Sequence, residues 1–500
     1  MDTLLLYIVL LLLLVSVSPL LLGINKLWLN RKTVIYILAS ANMFLAAWVG
    51  VLAITTRQLY IGVGAFVTLY QLFNLYRADR SKIASEHLKR ITIKSTYRLW
   101  VTQVLILAAA YSLYYFDPTF NTSMSLAIFS YLMALMVFSS TWKNYSKTYI
   151  PTEKLKNVKS LNLPTLTVAI PARNESESLN NCLISLLASN YPKLEIMVLD
   201  DHSTDRRTPE IIRSFAHDGV EFIQGKSFNS EWLAKNWAYE QLLDRANGDL
   251  VLFCGADTRF EPDTLRELVS ILLDKKLLML SILPFNEYPN KLRNRFFQPL
   301  RYAWEVSLPR QILHRPSVLP TSWLVEKDFL LQKGSFKGVS RKVSPESYFA
   351  KLAMETNRYS FFQFVDIKSQ KPSDEQKETA FRLRYPQLHR QVESVMLATL
   401  AELLGGISVI FLIIFGIFTD RYVISLIDLL AYVFYTLAFL ILSKLTYSRK
   451  NWLMAILWPL FLGLDILVMT ISMHKYELDE VLWKGRSIAP SVMEHAASNA

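Results

Sequence analysis

The sequence predicts a membrane protein in which an α/β domain with a parallel sheet lies between two groups of transmembrane helices. Hydrophobic residues make up 52% of the 500 residues, and long apolar runs lie towards both ends of the chain. This composition is too apolar for an ordinary soluble protein. In the middle of the chain, three short apolar runs alternate with helical patterns and each ends in polar residues, which is typical of parallel strands covered by helices.

Five apolar segments in residues 1–150 approach or reach the length that crosses a bilayer as a helix. Lysine and arginine are concentrated in the loops after the first, third and fifth segments, and the alternate loops hold one basic residue, Arg57. The positive-inside rule then places the N-terminus outside and the central domain in the cytoplasm. The segments carry no charged residue, so they form either an anchoring or oligomerising bundle or a lipid-acceptor or transport path. The segments are Leu4–Leu22, Val34–Ile54, Tyr60–Tyr76, Leu99–Phe116 and Met124–Trp142.

The central domain, expected at residues 151–391, carries polar residues soon after each of three apolar runs. Parallel strands bind ligands at their carboxyl ends, so these residues predict a polar site at one edge of the sheet. The first group lies just before a helix, where backbone N–H groups and the helix dipole suit a nucleotide; a simple helix cap is the alternative. A further acid, Asp205, fits a cap of the next helix. The runs and the residues after them are Thr167–Ile170 with Asn174 and Glu175, Ile196–Leu199 with Asp200 and Asp201, and Leu250–Cys254 with Gly255 and Asp257.

The rest of the central domain predicts a helix at Pro262–Leu272 and a strand at Leu277–Leu283. Leu292–Leu313 is rich in aromatic residues and arginine, which predicts an amphipathic segment on the membrane surface, with a buried core helix as the alternative. The net charge of +12 fits anionic lipid headgroups better than nucleic acid, because basic loops flank the apolar segments. Cys182 and Cys254 lack metal-ligand spacing and are predicted to be buried, reduced thiols.

Three more apolar segments in residues 392–475 predict two or three transmembrane helices, followed by a tail at residues 476–500. Each segment carries one acid. Acids inside a membrane are expensive and often functional, and a position near the membrane interface is the alternative. The segments and their acids are Val395–Phe418 with Glu402, Tyr422–Leu445 with Asp428, and Trp452–Met473 with Asp465.

Short motifs in and after the central domain resemble the family 2 glycosyltransferases. Three of them resemble the nucleotide-sugar domain of that family, and two more resemble its membrane-bound subgroup that glycosylates hopanoid, carotenoid or ceramide-type lipids. The resemblance covers roughly Leu163 to Arg486. The first three motifs are PARNE (171–175), LDDHSTD (199–205) and GAD (255–257), and the other two are WLAKNWA (232–238) and WKGR (483–486).

The resemblance implies a GT-A (Rossmann-like) domain in the cytoplasm, inserted between the transmembrane helices of a multi-pass plasma-membrane protein. It implies a single inverting transfer of a sugar from a UDP-sugar donor to a membrane lipid, with no nucleic-acid partner. Asp257 is then the ligand of Mg²⁺ or Mn²⁺, which would neutralise charge on the leaving diphosphate. Glu346 is the candidate general base that removes the proton of the acceptor hydroxyl. The residues implied to bind the nucleotide-sugar are Asn174, Glu175, Asp200, Asp201, Lys235 and Arg384.

The sequence departs from the family pattern at three places. Gly255 stands where the family usually has a first aspartate, and Pro345-Glu346 stands where an acidic pair usually ends in aspartate. The stretch Leu319–Val325 lacks the Gly-Gly expected on the acceptor side. These departures keep open an alternative, a catalytically degenerate membrane scaffold or regulator that binds nucleotide-sugar or lipid.

Overall fold

The computed structural model places the described residues in two compact units. The sheet unit comprises Val137–Lys377 and Leu437–Ile456, and the helical unit comprises Met1–Met136, Glu378–Thr436 and Leu457–Ala500. The four apolar segments predicted before residue 120 lie outside the described residues. Those described are 120–148, 162–175, 177–227, 231–286, 302–307, 315–369, 373–390, 392–446, 455–477, 481–484 and 486–488.

An eight-stranded sheet forms the centre of the sheet unit. Its strands are β1 (Leu166–Ala172), β2 (Leu194–Asp200), β3 (Val220–Gln224), β4 (Leu250–Cys254), β5 (Thr258–Phe260), β6 (Met279–Asn286), β7 (Ser322–Glu326) and β8 (Tyr359–Ser369). They lie in the order β3-β2-β1-β4-β7-β6-β8-β5. The three runs predicted to be parallel strands are β1, β2 and β4, and the pairing of β1 with each of the others is parallel.

The sheet is mixed, which corrects the expectation of a parallel sheet. Strand β7 runs antiparallel to both of its neighbours, β4 and β6, and β5 runs antiparallel to β8. The expectation of a parallel sheet rested on the alternation of strands and helices before residue 257, because a helix between two strands is the usual connection of parallel neighbours. Strand β7 lies after that stretch and pairs antiparallel with β6, so the alternation held no information about its direction.

Helices cover both faces of this sheet. Up to residue 369 the described helices are α1 (Phe120–Thr148), α2 (Glu177–Leu187), α3 (Arg207–Ser214), α4 (Ala234–Arg245), α5 (Thr264–Asp274), α6 (Lys327–Gln332) and α7 (Pro345–Glu355). Val168 and Ile170 of β1 share a buried cluster with α2 and α5, whereas Ala169 shares another with α4 and α7. Successive side chains of a strand point to opposite faces, so burial on both sides explains the continuous apolar run. The predicted helix and strand after residue 261 are confirmed as α5 and β6.

The described part of the segment predicted to lie on the membrane surface is a helical turn at residues 302–307. Tyr302 and Val306 are buried in a cluster of the sheet unit that includes Leu283 of β6. The amide of Asn144 donates a hydrogen bond to the backbone oxygen of Val306 at 2.7 Å. These six residues are packed within the sheet unit. The rest of the predicted segment lies outside the described residues, so its location on the membrane surface stays a prediction.

The helical unit contains the apolar helices of the C-terminal region. They are α8 (Ser373–Gln387), α9 (Val392–Glu402), α10 (Ser408–Phe418), α11 (Tyr422–Thr446) and α12 (Trp458–Glu477). A π-helical turn at Leu403–Ile407 joins α9 to α10. The first residues of α8 and the last residues of α11 belong to the sheet unit. Among the described residues, three stretches are long and apolar enough to cross a membrane, Ser123–Ser146, Ser394–Phe418 and Tyr422–Leu445. They coincide with the fifth N-terminal segment and with the first two C-terminal segments of the sequence analysis.

Two of the acids predicted inside apolar segments contact polar groups of neighbouring helices. Asp428 of α11 accepts a hydrogen bond of 2.5 Å from the hydroxyl of Ser130 in α1. Asp465 of α12 pairs with the guanidinium of Arg384 in α8, with 2.8 Å between Nε and Oδ1. Both acids are buried, so these contacts stabilise charges or polar groups that burial would otherwise disfavour.

Candidate functional site

The carboxyl ends of β1 and β2 lie side by side, and the first group of predicted residues follows them. Ala172 pairs with Asp200 in the parallel register. The carboxylate of Asp200 is buried and accepts hydrogen bonds from the backbone N–H and the hydroxyl of Ser203, at 3.1 Å and 2.5 Å. The backbone N–H of Asp201 donates to the oxygen of Ala172 at 2.8 Å. Strand pairing therefore brings the predicted loop after β1 and the predicted acid pair to one edge.

Asn174 holds the loops after β1 and β2 together. Its backbone is left-handed, with φ of 49°, a conformation that Asn adopts more readily than most residues. The side-chain oxygen of Asn174 accepts a hydrogen bond from the backbone N–H of Thr204 at 2.8 Å. Next to it, the backbone N–H of Glu175 donates to the hydroxyl of Thr208 at 2.8 Å. The carboxylate of Asp205 accepts from the backbone N–H of Thr208 in the first turn of α3 at 2.9 Å, as expected for a capping side chain, although the residue at the N-cap position is Arg206.

Lys235 and Glu346, predicted separately from distant parts of the sequence, face each other in the sheet unit. Lys235 lies in the first turn of α4, and Glu346 follows Pro345 in the first turn of α7. The ammonium of Lys235 lies 3.8 Å from Oε2 of Glu346. The Glu346 side chain is fully buried, whereas that of Lys235 is 22% exposed. The hydroxyl of Ser344 donates to Oε1 of Glu346 at 2.5 Å, so both carboxylate oxygens have a polar neighbour.

Asn236, which the sequence analysis did not single out, ties the start of α4 to the segment before α7. Its side-chain nitrogen lies 2.9 Å from the oxygens of Val339 and Ser340 and 2.8 Å from that of Lys342. The backbone N–H of Leu233 donates to the oxygen of Ser340 at 2.9 Å. A buried amide needs hydrogen-bond partners, but the sequence around Asn236 does not show that they lie at residues 339–342.

Asp257 follows β4, and its carboxylate lies close to Gly255 and to the end of β8. Oδ2 accepts a hydrogen bond from the hydroxyl of Ser369 at 2.8 Å. A Cβ atom on Gly255 would lie 2.6 Å from Oδ1, so the carboxylate of Asp257 occupies the space beside the glycine. Within the described part of the chain, no three His, Cys, Asp or Glu side chains are grouped as metal ligands.

Arg384 lies in the helical unit, where the structure gives it structural contacts. Besides the ion pair with Asp465, its Nη1 donates to the side-chain oxygen of Gln387 at 3.2 Å. The Arg384 side chain is buried. A role in binding the donor diphosphate stays a prediction for this residue. The two cysteines are buried free thiols, as predicted.

The comparison with known families agrees with the motifs. Residues 167–315 match the family model described as glycosyl transferase family 2. These residues form a family 2 glycosyltransferase domain. Six of the predicted site residues lie inside the matched part of this glycosyltransferase domain, whereas Glu346 and Arg384 lie beyond it. The six are Asn174, Glu175, Asp200, Asp201, Lys235 and Asp257.

Individual relatives of the glycosyltransferase domain match short parts of the chain. Glycosyltransferase AglE of Haloferax volcanii is 33% identical over 99 residues, which are 19% of this chain and 31% of that protein. The 4,4'-diaponeurosporenoate glycosyltransferase of Staphylococcus aureus is 27% identical over 141 residues, 28% of this chain and 35% of that protein. The match therefore spans about a third of the length of these curated relatives.

Among solved structures, the mannosyltransferase PcManGT from Pyrobaculum calidifontis, in complex with GDP-Man and Mn²⁺, is 16% identical to this chain. The similarity has a TM-score of 0.39 and covers 70% of this chain and 98% of that chain.

Proposed function

We propose that the chain is a polytopic membrane glycosyltransferase that transfers a sugar from a UDP-sugar to a membrane lipid with inversion at the sugar carbon. The observation that carries the proposal is the pairing of Lys235 with the buried carboxylate of Glu346 next to a family 2 domain. The pair brings together a cation suited to a diphosphate and a carboxylate suited to an acceptor hydroxyl. The basic loops of the sequence support a cytoplasmic location of this domain.

The donor would bind at the carboxyl edge of β1, β2 and β4. The acids at the end of β2, Asp200 and Asp201, would accept hydrogen bonds from the uracil and ribose. The loop of Asn174 and Glu175 would contact the nucleotide. Lys235 would attract the diphosphate as a point charge.

Asp257 fits the role of metal ligand. Mg²⁺ in sites for nucleotide phosphates is usually held by one or two protein carboxylates together with phosphate oxygens, so a single aspartate is sufficient. When bound there, Mg²⁺ or Mn²⁺ would neutralise the charge that develops on the leaving diphosphate. Ser369 would keep the carboxylate in place through its hydrogen bond.

Glu346 would act as the general base. The acceptor hydroxyl oxygen forms a bond to the sugar carbon on the face opposite the diphosphate, while the bond from that carbon to the diphosphate oxygen breaks. The hydroxyl proton moves to Oε2 of Glu346, and UDP leaves with the bonding electrons. A lipid acceptor is supported by the three helices long enough to span a membrane and by a relative named for 4,4'-diaponeurosporenoate.

The test is turnover by the detergent-purified full-length chain, with a panel of UDP-sugars, a total membrane-lipid extract and Mg²⁺ or Mn²⁺. Metal-dependent glycolipid formation is expected. Glu346→Gln should lower the rate of glycolipid formation by at least about 100-fold, because the base is lost. Asp257→Ala should abolish glycolipid formation whether or not the metal is added, because the metal ligand is lost. Glu355→Gln makes the same chemical change at the exposed end of α7 and should leave the rate unchanged.

Two other outcomes would change the assignment. If UDP-sugar binds but no lipid in the extract is glycosylated, the degenerate scaffold replaces the enzyme. If Asp257→Ala abolishes transfer and Glu346→Gln does not, the general base is another residue and the donor site stands.

A further inference from the structure

The segment that leads into Glu346 is held by the first turn of α4. A 3₁₀ turn at Lys337–Val339 precedes it, and α7 begins at Pro345. The amide of Asn236 contacts three successive parts of this segment, at Val339, Ser340 and Lys342. Asn236 adjoins Lys235 in the chain. The first turn of α4 therefore contacts both the segment that precedes Glu346, through Asn236, and the carboxylate of Glu346, through Lys235.

The hydrogen-bond chemistry of Asn236 makes this connection specific. A side-chain amide has two N–H donors, and here they point into a group of three backbone oxygens between 2.8 and 2.9 Å away. Asn236 is 1% exposed, so water would not replace these bonds without repacking. Losing the donors would remove all three bonds and leave the oxygens of Val339 and Ser340 with the backbone N–H groups of Lys342 and Leu233 as donors, so the segment would be held less firmly.

A short series of contacts connects this segment to Glu346, so the position of the segment determines the position of the Glu346 carboxylate. The backbone N–H of Lys342 donates to the oxygen of Val339 at 2.9 Å, which folds the segment into a turn. Two residues later, Ser344 donates its hydroxyl to the Glu346 carboxylate. Pro345 occupies the first helical position, where its fixed φ sets the direction of α7. A shift of the segment would therefore move the carboxylate relative to Lys235.

We propose that Asn236 is a positioning residue, which holds the Glu346 carboxylate opposite Lys235 at the distance that the transfer reaction requires. This inference rests on the proposed function, in which Glu346 is the general base. Asn236 contacts neither donor nor acceptor in this proposal and acts through the segment of residues 339–344.

The first test compares three substitutions on the full-length chain. Asn236→Ala is expected to lower kcat by about 100-fold, as a displacement of about 1 Å can in an active site, with a much smaller change in the donor KM. Asn236→Asp keeps the volume but removes both donors, so it should be at least as impaired. Gln241→Ala removes another buried amide of α4, which contacts Lys226 and Trp237 instead, and should keep kcat.

A double substitution separates positioning from a loss of stability. If Asn236 acts through Glu346, adding Asn236→Ala to Glu346→Gln should cause no further loss of kcat, because the base is already absent. A general structural defect would lower kcat further in the double variant. That result, or a normal kcat in Asn236→Asp, would overturn the proposal.

Hydrogen exchange gives a readout that does not depend on activity. The amides of residues 339–344, 346 and 347 should exchange faster in Asn236→Ala than in Gln241→Ala and in the unsubstituted chain. Unchanged exchange there would overturn the connection itself. If Glu346→Gln abolishes transfer but Asn236→Ala does not, the positioning role alone is refuted. If the unsubstituted chain transfers no sugar, the proposed function is refuted as well.

Discussion

Glu195 joins the amino ends of three strands, on the edge of the sheet opposite the candidate site. Its carboxylate accepts hydrogen bonds from the hydroxyl of Thr167 at 2.5 Å and from the backbone and side-chain nitrogens of Asn247 at 3.0 and 2.7 Å. Burial by itself raises the pKa of the Glu195 carboxyl. The hydrogen bonds from Thr167 and Asn247 outweigh burial, so the pKa lies below its usual value.

This lowered pKa predicts how stability depends on pH. A carboxyl with a lower pKa in the folded state contributes stability above its unfolded pKa, and the contribution is lost as pH falls through the folded pKa. Glu195→Gln should therefore reduce the free energy of unfolding at pH 7, by about 1 kcal/mol after allowance for solvent screening. The difference should vanish in acid below the folded pKa, as measured by thermal unfolding across a pH series. Glu221→Gln, at an exposed ion pair with Arg245, should have little effect at any pH.

At the scale of elements, the π-helical turn between α9 and α10 allows a close helix contact. A Cβ atom on Gly406 would overlap Cδ1 of Leu462 in α12, so the glycine makes room for that side chain. Tyr435 of α11 donates its hydroxyl to the oxygen of Gly405 at 2.9 Å, which satisfies a backbone group that the wider turn releases. Small residues at such crossings let apolar helices approach each other.

Gly406→Ala should consequently destabilise the helical unit. The close atom is the end of the Leu462 side chain, which can turn away, so the cost should be at the low end of overpacking, about 1 kcal/mol, and should appear as a lower thermal midpoint of the purified chain in detergent. Gly463→Ala is the matched control, because a Cβ atom there would meet nothing within 4 Å. The control should be neutral or slightly stabilising, since alanine favours helix. Equal midpoints for both variants would show that the contact with Leu462 is not tight.

Much of the central fold could be predicted from local patterns, and the exceptions share a cause. The apolar runs predicted β1, β2, β4 and β6, and the position of Asp205 predicted a side chain that caps the next helix. The direction of β7 depends on its pairing with β4, and the part played by Asn236 depends on contacts with residues 339–342. Contacts between distant residues leave no periodic signal in the sequence, so neither feature was accessible before the structure.

At the scale of the whole molecule, charge distribution and helix length predict which parts face each side of the membrane. Under the proposed topology the span Ser394–Phe418, formed by α9 and α10, leaves the cytoplasmic side and α11 returns to it, so the turn at Thr419 faces outwards. The same topology predicts that the sheet unit, which includes the exposed end of α7 at Glu355, faces the cytoplasm. The two native cysteines are buried, which makes introduced cysteines suitable probes.

The topology can be measured by labelling with a membrane-impermeant maleimide. Thr419→Cys should react in intact cells, whereas Glu355→Cys should react only after permeabilisation. Both positions are exposed, so a difference in reactivity reports the side of the membrane. Reaction of both in intact cells would refute a cytoplasmic sheet unit, and the unsubstituted chain gives the background.

The space beside Gly255 also constrains how this sequence can change over time. A side chain at position 255 and the present orientation of Asp257 exclude each other. A single substitution that introduced a second acid would therefore displace the first before any benefit arose. Because the nearest atom is the free end of the Asp257 side chain, the carboxylate would make room by rotating, at the expense of its hydrogen bond with Ser369.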